Sequence, residues 1–368
     1  MKIGCPTRSE KKATSIISKA VSKEEARELH TLTPHSYLIE LPYLPSIRAL
    51  RFSINQRYPT GWTDTSLHQD ASKTDSQLSP TSPDDIRGVL SQFFKRCQIS
   101  YSEQPYDLDL HNLCLKESHK NGYPVDSTSG QLSILKGLPV GVVIAATSYT
   151  RLHDREIQVF IALYTAFLVY LDDSITRDIS GVDLFHERFI GGQPQANEVL
   201  ESLACFLRGI HTRYSEIQAN LIMTSTLKFI TSVMLEHMTQ NIQPSPFAYG
   251  YPTFARYLSG ASEAYAFLIL PPHIALSDYI QSLPEMSMFV NCANDVLSFY
   301  KEERDGDRFN YTSIQARFRR RSKLEIFKGL ADDVATSWER VMRIIDSKEE
   351  AKAAFEAFSR GYVDFHTS

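Results

Sequence analysis

The 368-residue chain reads as an all-α protein, and three observations carry that reading. Long segments repeat apolar residues at helical spacing. No series of alternating apolar and polar residues marks a β-sheet, and neither a G-x-G-x-x-G turn nor a phosphate-binding loop announces an α/β domain. Hydrophobic residues at 42% and charged residues at 22% are ordinary for a soluble globular chain, and the length admits one large helical body.

Residues 1–83 stand apart as an N-terminal extension. The stretch "DTSLHQDASKTDSQLSPTSPDD" (64–85), rich in Ser, Thr, Asp and Pro, reads as a flexible linker. Ahead of it, "HSYLIELPYLPSIRALRFSI" has apolar content that could dock on the body, but its two prolines argue against a continuous helix. The body (84–368) opens at "SPDDIRGVLSQFFKRC", where Ser-Pro-Asp-Asp is a good helix start with acid in the first turn. Helices are then predicted over 139–149, 153–171, 196–211, 216–240, 252–270, 284–303, 323–344 and 348–362. Pro- and Gly-containing links such as "GGQPQ" and "QPSPFAYGYP" separate them, and no internal repeat is visible.

A net charge of -4 provides no basic field for nucleic acid or an anionic membrane. The five cysteines (Cys5, Cys97, Cys114, Cys205, Cys292) are scattered without C-x-x-C spacing, which suits a reducing cytosol better than a disulfide framework or a zinc site. The N-terminus has no continuous apolar stretch of the secretory kind. The longest apolar run, "VFIALYTAFLVYL" (159–171), falls well short of the roughly 20 residues of a membrane span. A soluble, cytoplasmic protein is expected.

Three stretches could carry chemistry. "YLDDSITRD" (170–178) closes the most apolar helix with Asp172 and Asp173, acids that oppose the helix dipole and so call for a positive partner, a basic side chain or a metal ion. In "NDVLSFYKE" (294–302), Asn294, Ser298 and Glu302 recur every four residues; four residues turn a helix by about 400°, so the three share a face. Their oxygens are hard donors suited to Mg2+. "YPTFARYLSGASEAYAFL" (251–268) places Arg256 in the first turns of a helix, where a guanidinium could grip phosphate in a forked manner. Taken singly, these admit plain readings: a solvated helix end, an amphipathic face, a surface arginine. Together they suit facing walls of a helical bundle, with Mg2+ ions and a polyphosphate between them.

"LDDSITRD" (171–178) followed by "NDVLSFYKE" (294–302) resembles the trichodiene synthase family of fungal class I terpene cyclases, with its aspartate-rich and (N/D)-D-x-x-S-x-x-x-E motifs at about this separation. "GYPTFARYLSG" (250–260) is similar to the family helix bearing a diphosphate-sensing arginine, and "RGYVDFH" (360–366) to a segment near the family's C-terminus. The resemblance covers about residues 84–368 and implies a class I terpenoid synthase bundle with a central active-site cavity. It implies a sesquiterpene cyclase that uses three Mg2+ ions to ionise farnesyl diphosphate, and a homodimeric assembly is compatible with it. Asp172 would bind two of the ions with Asp173 in support, Asn294, Ser298 and Glu302 would hold the remaining one, and Arg256 and Lys301 would donate to the diphosphate. Two departures stand out. Thr176 occupies the aspartate-rich motif's third acidic position, beside Ile175 at a place often basic in relatives. The family's basic Arg-Tyr motif would begin just beyond Ser368; Arg319, Arg320 and Arg321 could substitute for it or form a solvated helix flank.

Ionising an allylic diphosphate needs charge stabilisation at the leaving group and no protein nucleophile. The cation must then be kept from water, for which aromatic faces serve. Candidates are Phe160, Tyr164, Phe167, Phe289 and Phe299, with Tyr265 and Phe267 nearby; each is also a natural core residue, and Tyr170 and Tyr300 could point outward. His153, His237 and His366 invite acid–base roles, but "LHD" (152–154) lacks the partners a metal phosphohydrolase needs. The alternatives are a chain-elongating prenyltransferase, which would carry aspartate-rich motifs on both walls, and a non-catalytic helical lipid-binding protein.

Overall fold

The structure, a computed structural model, describes residues 81–126, 132–152, 154–174, 179–239, 242, 245, 247–307 and 310–367. The extension up to residue 80, most of the 64–85 linker, His153, Ile175 and Thr176 lie outside the described residues.

The helices run in the order α1 (Pro83–Arg96), α2 (Leu108–Asn121), α3 (Leu138–Ser148), α4 (Arg155–Ser174), α5 (Phe185–Ile190), α6 (Glu198–Arg208) and α7 (Glu216–Thr239). There follow α8 (Tyr251–Ser259), α9 (Ser262–Leu268), α10 (Leu283–Arg304), α11 (Tyr311–Arg319), α12 (Lys323–Ile344) and α13 (Glu349–Thr367). Their starts are chemically marked. The Ser82 hydroxyl accepts from the Asp85 N–H, with Pro83 at the first helical position. Ser322 and Glu325 form a reciprocal capping box at α12.

The apolar helix α4 packs along α3, and two glycines set how closely. A Cβ on Gly141 would lie 2.1 Å from the Ala162 carbonyl oxygen, and one on Gly361 of α13 would lie 1.9 Å from that of Thr147. Backbone therefore meets backbone along α13–α3–α4. On the other side α10 packs on α12, α9 and α13, and α9 on α7. The two motif-bearing helices share α9 as a neighbour: the Thr165 hydroxyl on α4 lies 2.9 Å from the Tyr265 phenol on α9, and α9 lies along α10.

The all-α expectation holds throughout the described residues, with one break. The helix predicted over 252–270 is split at Gly260–Ala261, where Ala261 takes the left-handed region (φ 44°). Only glycine fits at the break, since a Cβ on Gly260 would fall 2.0 Å from Asn291 Oδ1. Asn291 also satisfies part of the interrupted helix end, its Nδ2 donating to the Arg256 carbonyl at 3.2 Å. Helices α2, α5 and α11 were not foreseen.

Candidate active site

The second motif lies on one face of α10, and α8 delivers Arg256 to it. Arg256 is only 1% exposed, which reverses the ordinary expectation for an arginine. Its Nε donates to Asp295 Oδ2 at 2.8 Å and Oδ1 at 3.1 Å, and its Nη2 to the Asn291 carbonyl at 2.7 Å and Asn294 Oδ1 at 3.4 Å. Burial works against the guanidinium charge, and the adjacent Asp295 carboxylate outweighs it, so Arg256 is held above the ordinary arginine value. Its Nη1, also buried, has no hydrogen-bond partner among the described residues. An orphaned cationic N–H in the core calls for an anion or a water.

Further along the face, the Ser298 hydroxyl donates to Glu302 Oε1 at 2.7 Å. Oxygens on adjacent corners of a Mg2+ octahedron, each about 2.05 Å from the ion, lie about 2.9 Å apart. The hydrogen bond puts the two oxygens close enough to reach one ion together, and the donor set of amide, hydroxyl and carboxylate oxygens fits Mg2+. Among the described residues no three His, Cys, Asp or Glu side chains come together into a metal site of their own. With two neutral donors and one carboxylate, an ion here keeps positive charge and coordination positions for an anionic ligand.

Lys301 is half-buried, its Nζ donating to the His366 carbonyl at 3.1 Å; burial and then neighbouring Arg304 draw its pKa down. Asp172 and Asp173 occupy the last turn of α4, both partly exposed. Beside Arg256 and Asn294 is a cavity of about 10 Å³, lined also by Tyr149, Tyr265 and Tyr362. That is room for about one water, whereas small-molecule sites usually occupy some 300–1,000 Å³. A larger, open cavity of about 800 Å³ lies by Arg151, Glu156 and Glu349. Glu156 is about 24 Å along α4 from Asp172, so that cavity is not the motif site.

The five candidate aromatics are all buried. Tyr164 meets Tyr265 edge-on at 5.5 Å, next to the small cavity. Phe160 and Phe167 pack on Phe206, at 4.6 and 5.4 Å. Phe289 is turned to Phe355 of α13 and Phe299 stacks on Phe327 of α12 at 4.4 Å, so both fill helix–helix seams. Tyr300 and His237 are exposed, as are Arg319, Arg320 and Arg321.

Sequence reasoning missed Asp295, Asn291, Tyr362 and His366. Asp295 was legible as an acid inside an apolar helix with Arg256 as a complementary charge. His366 was considered only for an acid–base role, yet its Nε2 lies 3.1 Å from Asn294 Nδ2.

Comparison with known proteins gives the family. Alpha-cuprenene synthase of Coprinopsis cinerea is 40% identical over 77% of this chain and 87% of its own length. Longiborneol synthase of Gibberella zeae is 29% identical over 74% of this chain and 84% of its own length. Among solved structures, linalool/nerolidol synthase from Streptomyces clavuligerus superposes with a TM-score of 0.54 at 14% identity, covering 73% of this chain and 97% of that one, and supports the fold. The trichodiene synthase family profile matches residues 137–368, and the chain belongs to that family of terpene cyclases.

Proposed function

We infer that this protein is a sesquiterpene cyclase that ionises farnesyl diphosphate with Mg2+ and closes the allylic cation to a cyclic hydrocarbon or alcohol, releasing diphosphate. The observation that carries the reading is the α8–α10 face itself: an orphaned guanidinium N–H beside Asn294, with Ser298 and Glu302 oxygens 2.7 Å apart. Asp172, with Asp173 in support, would anchor two of three ions, and Asn294, Ser298 and Glu302 would hold the third. When bound, the ions supply Lewis-acid stabilisation of the leaving diphosphate.

The residues do the rest. Asp295 holds Arg256 so that Nη1 is the nitrogen left to donate to a diphosphate oxygen, and Lys301 adds a second cation. Both are preorganised donors aimed at charge that grows as the C–O bond breaks. Since the enclosed cavity is about 10 Å³, a fifteen-carbon chain requires walls such as Tyr149, Tyr265 and Tyr362 to draw apart. Their ring faces then border the cation and exclude water. Among the described residues no helix is long and apolar enough to cross a membrane, and a cytoplasmic location, like a homodimer, belongs to this proposal.

The test is release of inorganic diphosphate from farnesyl diphosphate alone, with the organic product identified by gas chromatography–mass spectrometry. A cyclic fifteen-carbon product supports the reading. Turnover only with an added isoprenoid diphosphate would indicate a prenyltransferase, and no turnover a non-catalytic binder.

A further inference from the structure

The last turn of α13 closes on the α10 motif, and its hydrogen bonds have a direction that can be worked out. His366 is buried, and its Nδ1 lies 2.8 Å from the Tyr362 carbonyl oxygen. A carbonyl oxygen can only accept, so Nδ1 carries the proton and the neutral ring offers Nε2 as an acceptor. Nε2 faces the Asn294 amide at 3.1 Å, so the Asn294 atom there must be the NH2 nitrogen. The Tyr362 phenol gives its proton to the Val290 carbonyl at 3.1 Å, which leaves its oxygen free only to accept; burial raises its pKa, and the neighbouring Asn294 side chain acts to lower it as a donor would. Both partners from α13 therefore demand a donor. The opposite amide orientation would set the Asn294 oxygen against two acceptors. On the far side Arg256 Nη2, a donor, lies 3.4 Å from Asn294 Oδ1, which agrees.

We propose that His366 and Tyr362 are positioning residues that lock the Asn294 amide so that its oxygen, not its nitrogen, is presented to Mg2+. This deepens the functional reading given above and rests on it. The metal-binding motif then includes a turn 72 residues further along the chain. The same turn fixes Lys301, whose Nζ donates to the His366 carbonyl. Outer partners of metal ligands typically change metal affinity by about 10- to 100-fold when removed.

The experiment is a Mn2+ titration of the full chain, followed by electron paramagnetic resonance, with inorganic diphosphate and no isoprenoid. The wild type binds Mn2+ in a diphosphate-dependent manner. His366→Leu keeps bulk but offers no acceptor and weakens binding by at least about 10-fold. His366→Gln, whose amide oxygen approaches the place of Nε2, restores it to within about threefold, which a merely space-filling role would not do. Tyr362→Phe keeps the ring and weakens binding by about threefold or more, and it serves as the decisive variant if His366→Leu does not fold. Wild-type Mn2+ affinity in both folded His366→Leu and Tyr362→Phe overturns the proposal, as does wild-type affinity in Tyr362→Phe where only that variant folds. Absence of diphosphate-dependent Mn2+ binding in the wild type overturns instead the functional reading beneath it.

Discussion

Removing Asp295 should unfold the site from within. The Arg256–Asp295 pair is a salt bridge with side chains 2% and 6% exposed, so neither charge has water to fall back on. Asp295→Ala leaves a guanidinium in the core whose Nε has lost its acceptor. Removing one member of a buried pair typically costs about 3–5 kcal/mol, against a total stability of about 5–15 kcal/mol. At about 2–4 °C per kcal/mol for a chain of this order, melting should fall by roughly 10 °C. Replacing both members with apolar residues of similar volume, Arg256→Met with Asp295→Leu, removes the stranded charge. It should bring stability back to within about 1 kcal/mol of wild type. Diphosphate release should stay abolished in that double variant, because Arg256 is the proposed donor. Urea denaturation of wild type, Asp295→Leu, Arg256→Met and the double variant completes the cycle, with Asp295→Ala measured beside it and release assays on each. Stability of Asp295→Ala within about 1 kcal/mol of wild type, or full turnover in the double variant, would refute the reasoning.

Asp172→Asn, Asn294→Ala and Glu302→Ala should each lower diphosphate release by about 100-fold or more while helical circular dichroism stays unchanged; unfolding in all three would point to a structural role. Chelation by EDTA should stop turnover, with no change in circular dichroism and full recovery on adding Mg2+, because in the proposed mechanism the motif donors would hold the metal for chemistry and not for folding. Gly141→Ala places a Cβ against the Ala162 carbonyl and should cost about 1–3 kcal/mol in urea denaturation despite alanine's better helix propensity. Burial pushes the Cys97 and Cys114 thiols up to about 12, so at pH 8 almost no thiolate is present. Peptide mapping after iodoacetamide treatment should find both unmodified in the native protein and modified after denaturation.

The long helices were legible because their apolar stripes persist over many turns: 323–344 coincides with α12, and 284–303 is within a residue of α10 at each end. Helix α2 was missed because only Leu110, Cys114 and Ser118 are buried along it, too thin an apolar stripe to stand out. Helix α11 buries Thr312, Ser313 and Gln315, so composition misrepresents its environment. The need for glycine at 260 is set by Asn291, more than thirty residues away, which local pattern cannot register. The same holds at the site. Asn294, Ser298 and Glu302 share a face by helical arithmetic alone, and the structure shows Ser298 bonded to Glu302. Arg256 was identified, but not its burial against Asp295, because which charges pair in a core is a property of packing. His366 was unreadable for a further reason: its meaning is a proton on Nδ1, set by a carbonyl one turn earlier on its own helix.

The central claim is that the α4 aspartates and the α10 motif hold one diphosphate between them. A crystal structure with Mg2+ and an uncleavable farnesyl thiodiphosphate tests it most directly. The expected result is metal density against Asp172 and against Asn294, Ser298 and Glu302, bridged by one diphosphate within reach of Arg256 Nη1. Ions on one motif alone, or a diphosphate bound away from both, would contradict it.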